Sequence, residues 1–345
     1  MEWLKALILG AVQGVTEFLP ISSDGHLSIT QHFFDQIQGV ESVGAQNLFF
    51  DVMLHLGTLA AILIHYRAVG ITATKGVLGS AQVAKTYQRK AVIRTILLSG
   101  VATTPLIPLA LFLKKYIDAA FGSTAAAGVG FLITAAVLLI TMRLQSRGEE
   151  GKGPLETTWL DALLIGIAQM FAPLPGVSRS GLTIAAGLSL GLSRAWAVGF
   201  SLLIAIPAIL GAAVLEIRKV DTATLTPDRI AQTVAAAILA GVVGYGAIIW
   251  LVKIVRSGRM WYFSVYLIVL GIAVLIWTAL SGGSDANASR KDAAHRAVRL
   301  SDPRPGLAQA GLRRGRDLDR AESTRGAVDD GDLGGKGQRR RLALR

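Results

Sequence analysis

The sequence predicts an all-α polytopic membrane protein, with about six transmembrane helices and two re-entrant helical hairpins related by an inverted-topology internal repeat. Three observations carry that prediction. Of 345 residues, 52% are hydrophobic and 17% charged, and the mean hydropathy is +0.51, more apolar than a soluble globular chain usually is. Charge-poor stretches approaching 20 residues, the length that crosses ~30 Å of hydrocarbon, recur along the first 280 positions. Two other apolar stretches are broken in the middle by Pro, Gly, Ser and charged residues.

In chain order, the first broken stretch runs from about 3 to 33. It suits a pair of short helices meeting at a break, because non-helical backbone at membrane depth is tolerated only where protein or a water-filled cavity surrounds it. Apolar runs near 48–66, 92–113 and 124–142 follow, each long enough to span. The second broken stretch, 158–192, is interrupted like the first. Three more spans lie near 196–217, 231–252 and 261–280. This gives a membrane domain over 1–280, made of one repeat over about 1–145 and a second over about 158–280.

The repeat is visible in the unusual residues. A shift of 156 positions lays Gly10 on Gly166, Gln13 on Gln169, Ser22 on Ser178 and Gly25 on Gly181. A shift of 150 lays Phe50 on Phe200 and Leu54 on Ile204. Interrupted helices at corresponding places in two halves point to a site at the repeat interface near the bilayer midplane.

Basic residues in short loops mark the cytoplasmic side. Arg67, Lys75, Lys85, Arg89 and Lys90 in one loop and Lys253, Arg256 and Arg259 in another place both there. The first hairpin then enters from outside and the second from the cytoplasm. The Arg-rich segment after Leu280 falls outside, against the charge rule, which long tails follow poorly. That tail, 281–345, is rich in Gly, Arg, Asp and Ala, has almost no aromatics and no hydrophobic period, and is expected to be disordered. Arg339, Arg340 and Arg341 in it could meet anionic lipid or a partner.

Composition excludes several chemistries. There is no cysteine, so no disulfide, thiolate metal site or thiol nucleophile exists. The net charge of +12 does not indicate a nucleic-acid groove: 15 of the 35 Lys and Arg lie after Leu280 with 9 of the 23 acids, which leaves the first 280 residues at +6. No Walker loop or kinase signature is present.

Glu17, Asp24 and His26 are ionisable groups in the first broken stretch, and an acid at membrane depth is costly unless paired, hydrated or bound to a cation. Gln13 and Glu17 are four apart, on one helix face, and offer hard oxygen ligands suited to Mg²⁺ or Ca²⁺; a polar packing pair is the alternative. Ser22 and Ser23 follow Pro20 and can cap the next helix, whose start favours phosphate. In the second break, Gly176 permits close backbone approach and Ser178, Ser180 and Thr183 offer hydroxyls around Arg179. The guanidinium is a fork of donors matching phosphate oxygens; an ion pair to Glu17 or Asp24 is the alternative, and the two roles can coexist. Together these groups suit phosphoryl transfer.

The stretches QGVTEFLPISSDGH at 13–26 and PGVSRSGLT at 175–183 closely resemble the two signature motifs of the bacterial undecaprenyl-diphosphate phosphatase family, also called the bacitracin resistance protein. The resemblance covers about residues 1–280. It implies a bacterial inner-membrane hydrolase that takes the terminal phosphate from undecaprenyl diphosphate, dependent on Mg²⁺ or Ca²⁺, with its active site where the hairpins meet and opening to the outer side. Gln13 and Glu17 fall on the family's acidic pair, Ser23 and His26 on its serine and histidine, and Arg179 on its arginine. Asp24 departs from the Ser or Thr usual there.

The expected mechanism has Glu17 and Gln13 holding the cation, Arg179 fixing the phosphates with Ser22, Gly176, Ser178, Ser180 and Thr183 around them, Ser23 attacking, and His26 taking its proton. Attack by His26 itself, or by water, stays open. Small residues such as Ala208, Gly211, Ala212 and Gly241 could form a groove for the lipid tail, though they could equally be helix packing. Partners are the lipid substrate and membrane lipids, with a second copy of the chain the one protein partner admitted. A transporter or flippase using the same anion site is the rival function.

Overall fold

A computed structural model describes residues 2–38, 48–79, 83–108, 123–144, 150–218, 220 and 225–300. Among these, eleven α-helices carry the fold: α1 (Glu2–Phe18), α2 (Ser23–Gln38), α3 (Leu48–His65), α4 (Arg67–Val77), α5 (Arg89–Thr103), α6 (Thr124–Leu144), α7 (Trp159–Gln169), α8 (Arg179–Ser189), α9 (Arg194–Ile217), α10 (Pro227–Arg256) and α11 (Trp261–Leu300). Six segments are long and apolar enough to cross a membrane: Leu48–His65, Arg89–Pro108, Thr124–Thr141, Arg194–Ile217, Pro227–Arg256 and Trp261–Leu280. They coincide with the six spans expected from sequence, except that the end of the second, beyond 108, lies outside the described residues.

Each broken stretch forms a helix–break–helix unit, α1–α2 and α7–α8. With 11 residues each, α7 and α8 are about 16 Å long at 1.5 Å per residue, half of what a span needs. The chain entering α7 and the chain leaving α8 are hydrogen-bonded together, Lys152 N–H to the Gly191 carbonyl (2.7 Å) and Ser193 N–H to the Lys152 carbonyl (2.9 Å). The α7–α8 unit therefore returns to the end at which it began. A capping box sets the start of α7, where Thr158 Oγ1 accepts from the Asp161 N–H (3.0 Å) while Asp161 accepts from the Thr158 N–H (2.8 Å).

The packing exchanges elements between the two halves of the chain. α1 lies on α10 and α7 lies on α5; α3 packs on both α9 and α10, and α9 on both α3 and α5. Glycines make these approaches close: a Cβ on Gly10 would strike the Ala236 carbonyl of α10, and one on Gly166 would strike the Ala102 carbonyl of α5. Gly128 of α6 and Gly271 of α11 face each other in the same reciprocal way. Phe18, Phe131, Phe200, Leu54, Ile62 and Ile204 are fully enclosed in the resulting core.

One element differs from the sequence expectation. The basic segment after the first span, expected as a loop, contains α4, seated because Gly76 lets the helix end press on the Tyr87 carbonyl. Of the tail, 281–345, the residues up to Leu300 are helical. The rest of the tail, including Arg339, Arg340 and Arg341, lies outside the described residues.

Candidate active site

The two breaks meet. Glu17 ends α1, and its carboxylate is the hub of the site: Oε1 accepts from Arg179 Nη2 at 2.8 Å, and Oε2 accepts from Ser23 Oγ at 2.8 Å and from Gln13 Nε2 at 3.0 Å. Arg179 opens α8, so this contact joins the breaks across 162 positions. A second tie runs from Ser180 Oγ to the Leu19 carbonyl at 3.0 Å. Glu17 is 5% exposed at its side chain and Arg179 16%, a burial that two charges sustain only as a pair.

Within this enclosed cluster two polar atoms find no partner. Arg179 Nη1 is a buried donor, and Gln13 Oε1 is a buried acceptor. Each belongs to a side chain whose other polar end is bonded to Glu17. The first is a cationic N–H aimed for an anion. The second, with the acceptor capacity left on Glu17 after three of roughly four lone-pair positions are filled, is a hard-oxygen set that fits Mg²⁺ or Ca²⁺. No group of three or more His, Asp or Glu side chains that could hold a metal ion is found among the described residues.

The structure reassigns several groups singled out in the sequence. Ser22, at φ 69°, rather than Ser23, is the residue that caps α2, its Oγ accepting from the Gly25 N–H at 3.4 Å. That leaves the Ser23 hydroxyl free to bond Glu17. His26 does not bond Ser23, because both its ring nitrogens are engaged elsewhere. Nδ1 donates to the Ser22 carbonyl at 2.7 Å, leaving Nε2 to accept from the Tyr266 hydroxyl at 2.7 Å. The proton acceptor beside Ser23 is Glu17.

Gly176, expected to face substrate, is at φ 78° and is pressed between the Ala127 carbonyl of α6 and Gly25 of α2. It lets the breaks approach. Ser178, Ser180 and Thr183, expected around the phosphates, each have a protein partner in this structure. Ser178 Oγ caps α8 by accepting from the Gly181 N–H (3.1 Å), Ser180 reaches Leu19, and Thr183 Oγ1 lies 2.6 Å from Ser201 Oγ. The hydroxyl ring is the frame that aims Arg179.

Three neighbours escaped the sequence reading. His55 of α3 lies 2.8 Å from Gln13 Nε2 through its Nδ1 and 3.9 Å from Asp24 Oδ1 through its Nε2. Asp51, one turn earlier, accepts from Gln31 (3.4 Å). Tyr266 of α11 stacks on His26. The signal for the first two was present: ionisable groups four apart in an apolar span meet the same criterion that picked out Glu17. Beside Tyr266 an apolar cavity of about 380 Å³ opens between α1, α10 and α11, lined by Val15, Leu19, Trp250, Ile254, Tyr262 and others. Of the small residues weighed for such a groove, Gly241 is a packing contact, where an added Cβ would press on the Gly57 carbonyl of α3, and Gly211 faces open space.

The chain matches the family model described as bacitracin resistance protein BacA over residues 6–273. A protein of Carboxydothermus hydrogenoformans named undecaprenyl-diphosphatase is 38% identical over 282 residues, covering 81% of this chain and 98% of that protein. One of the same name from Desulfosudis oleivorans is 39% identical over 286 residues, covering 81% and 100%. Another from Korarchaeum cryptofilum is 37% identical over 278 residues, covering 80% and 99%. The match takes in every residue of the site from Gln13 to Tyr266, and the chain belongs to the bacitracin resistance protein family.

Proposed function

We propose that this protein is a membrane-embedded hydrolase that removes the terminal phosphate of undecaprenyl diphosphate, giving undecaprenyl phosphate and inorganic phosphate. The observation that carries this reading is the pair of unpartnered buried atoms flanking Glu17: a cationic donor, Arg179 Nη1, and a neutral acceptor, Gln13 Oε1. A diphosphate accompanied by a cation satisfies both at once. The name shared by the relatives points to the same substrate.

In the first step Ser23 Oγ attacks the terminal phosphorus and its proton passes to Glu17 Oε2, 2.8 Å away. The bond from that phosphorus to the bridging oxygen breaks, and undecaprenyl phosphate leaves with the bridging oxygen. Water then attacks the phosphoserine phosphorus; the Ser23 oxygen leaves and takes back the proton held on Glu17, and inorganic phosphate departs with both hydrogens of the water. Arg179 Nη1 binds the charge that builds on the non-bridging oxygens while Nη2 keeps Glu17 in place. Gln13 and Glu17 would hold Mg²⁺ or Ca²⁺, which when bound neutralises charge across the diphosphate. A single chain supplies all of these groups, so the reading requires no homodimer.

The reading puts the protein in the bacterial inner membrane with its site opening outward; the basic residues of 67–90 and 253–259 support that orientation. The exchanged packing of α1 on α10 and α7 on α5 supports two inverted repeats with re-entrant hairpins. A transporter has no use for a serine hydroxyl bonded to a buried carboxylate. The test is phosphate release from undecaprenyl diphosphate by purified protein in detergent, with and without chelator. Metal-dependent release, lost in Ser23→Ala, is expected. Binding without release would overturn the hydrolase, and full turnover by Ser23→Ala would overturn the serine step.

A further inference from the structure

His55 projects from α3 into the site yet has no part in the steps above. Its Nδ1 lies 2.8 Å from Gln13 Nε2 and 3.5 Å from Glu17 Oε2, and its Nε2 lies 3.9 Å from Asp24 Oδ1. These contacts bear on which way round the Gln13 amide stands. A side-chain amide has one accepting and one donating end, of nearly the same shape. Glu17 Oε2, 3.0 Å from that amide, is acceptor-only and selects the NH₂ end, since an oxygen there would oppose lone pairs. The NH₂ group then has a second hydrogen to place, and His55 Nδ1 is the acceptor that takes it. This arrangement requires the His55 ring proton to sit on Nε2, on the side of the Asp24 carboxylate. With both N–H bonds made, Oε1 is left buried and unpartnered.

We propose that His55 is a positioning residue that locks the Gln13 amide so that Oε1 is presented as a cation ligand beside Glu17. The proposal rests on the cation reading given above. Groups that orient ligands in this way typically set metal affinity by 10–100-fold.

The experiment measures Mn²⁺ binding to the purified full-length protein by electron paramagnetic resonance of the free ion, without substrate or turnover. His55→Leu, which removes the acceptor, is expected to weaken binding at least about tenfold. His55→Asn, whose carbonyl can accept from the Gln13 NH₂, is expected to restore it to within a few fold. In a Gln13→Glu background the same His55→Leu change is expected to cost little, because a carboxylate has no wrong way round. Thermal unfolding of each variant accompanies the titration, and the comparison is made among variants that unfold as the wild type does. Wild-type protein that binds no Mn²⁺ overturns the cation reading and this role with it. Wild-type protein that binds while His55→Leu binds equally well, or while His55→Asn is as weak as His55→Leu, overturns the role of His55 alone.

Discussion

Arg179 Nη2 donates to Glu17 Oε1 across 2.8 Å, tying the first turn of α8 to the last turn of α1. Each ion is what makes the other's burial tolerable, so the contact is structural and chemical at once. The guanidinium still has Nη1 unpartnered, and the ion pair and an anion-binding role coexist in one side chain.

Removing one member of this pair leaves the other charged and buried. Glu17→Gln and Arg179→Met should each destabilise the protein by about 3–5 kcal/mol, and each should lower phosphate release by about 10³-fold or more. The double variant leaves no uncompensated charge and should unfold at a higher temperature than either single one. Calorimetric unfolding in detergent checks this, and strictly additive losses would show that the two side chains do not form a unit.

The close helix contacts give a second prediction. A Cβ at Gly57 would run into the Ala237 carbonyl, whereas one at Gly211 meets nothing within 4 Å. Gly57→Ala must push α3 away from α10 and should cost about 1–3 kcal/mol, with loss of activity because α3 carries His55. Gly211→Ala should be neutral or slightly stabilising, since alanine is the better helix former. Equal melting temperatures for the two variants would contradict the packing.

The spans were legible because six long apolar runs leave a composition signal that no loop blurs. Glu17 and Arg179 were legible because an ion inside an apolar stretch stands out. What the sequence left open was which partner each group would choose. Ser22 or Ser23 could cap α2, and only the backbone at Ser22, at φ 69°, decides that Ser22 caps and Ser23 turns to Glu17. Spacing of three put Ser23 and His26 one turn apart, yet neighbours on a helix need not bond. His26 was drawn off by Tyr266, 240 residues away, and no local pattern encodes that contact.

Asp161 gives a pH prediction away from the spans. Burial pushes its carboxyl up, but bonds from the Thr158 N–H and the Lys152 ammonium, at 3.0 Å, more than reverse this and hold the pKa below the usual carboxylate range. A lowered folded-state pKa means stability that is present above the unfolded value of about 3.9 and is lost as pH falls through the folded one. Wild-type protein should therefore melt above Asp161→Asn at pH 6, and the gap should close as pH falls below about 4. A gap that stays constant down to pH 3 would contradict the assignment.

The apolar cavity between α1, α10 and α11 predicts where the lipid tail begins. At about 380 Å³ it is within the ~300–1,000 Å³ range of ligand pockets, and it borders the site through Tyr266, whose hydroxyl holds His26. Its wall includes Val15, two residues before Glu17 on α1, and Tyr262, one turn before Tyr266 on α11. A headgroup held by Arg179 would have its prenyl chain leave along this surface, sheltered from water. Filling the cavity with Val15→Trp should raise KM for undecaprenyl diphosphate about tenfold, an effect of ~1.4 kcal/mol in tail binding. The same variant should hydrolyse a diphosphate bearing a single isoprene unit at nearly the wild-type rate, because the reacting groups are untouched. If both substrates lost activity in parallel, the change would have reached Glu17, and if neither did, the tail would leave by another path.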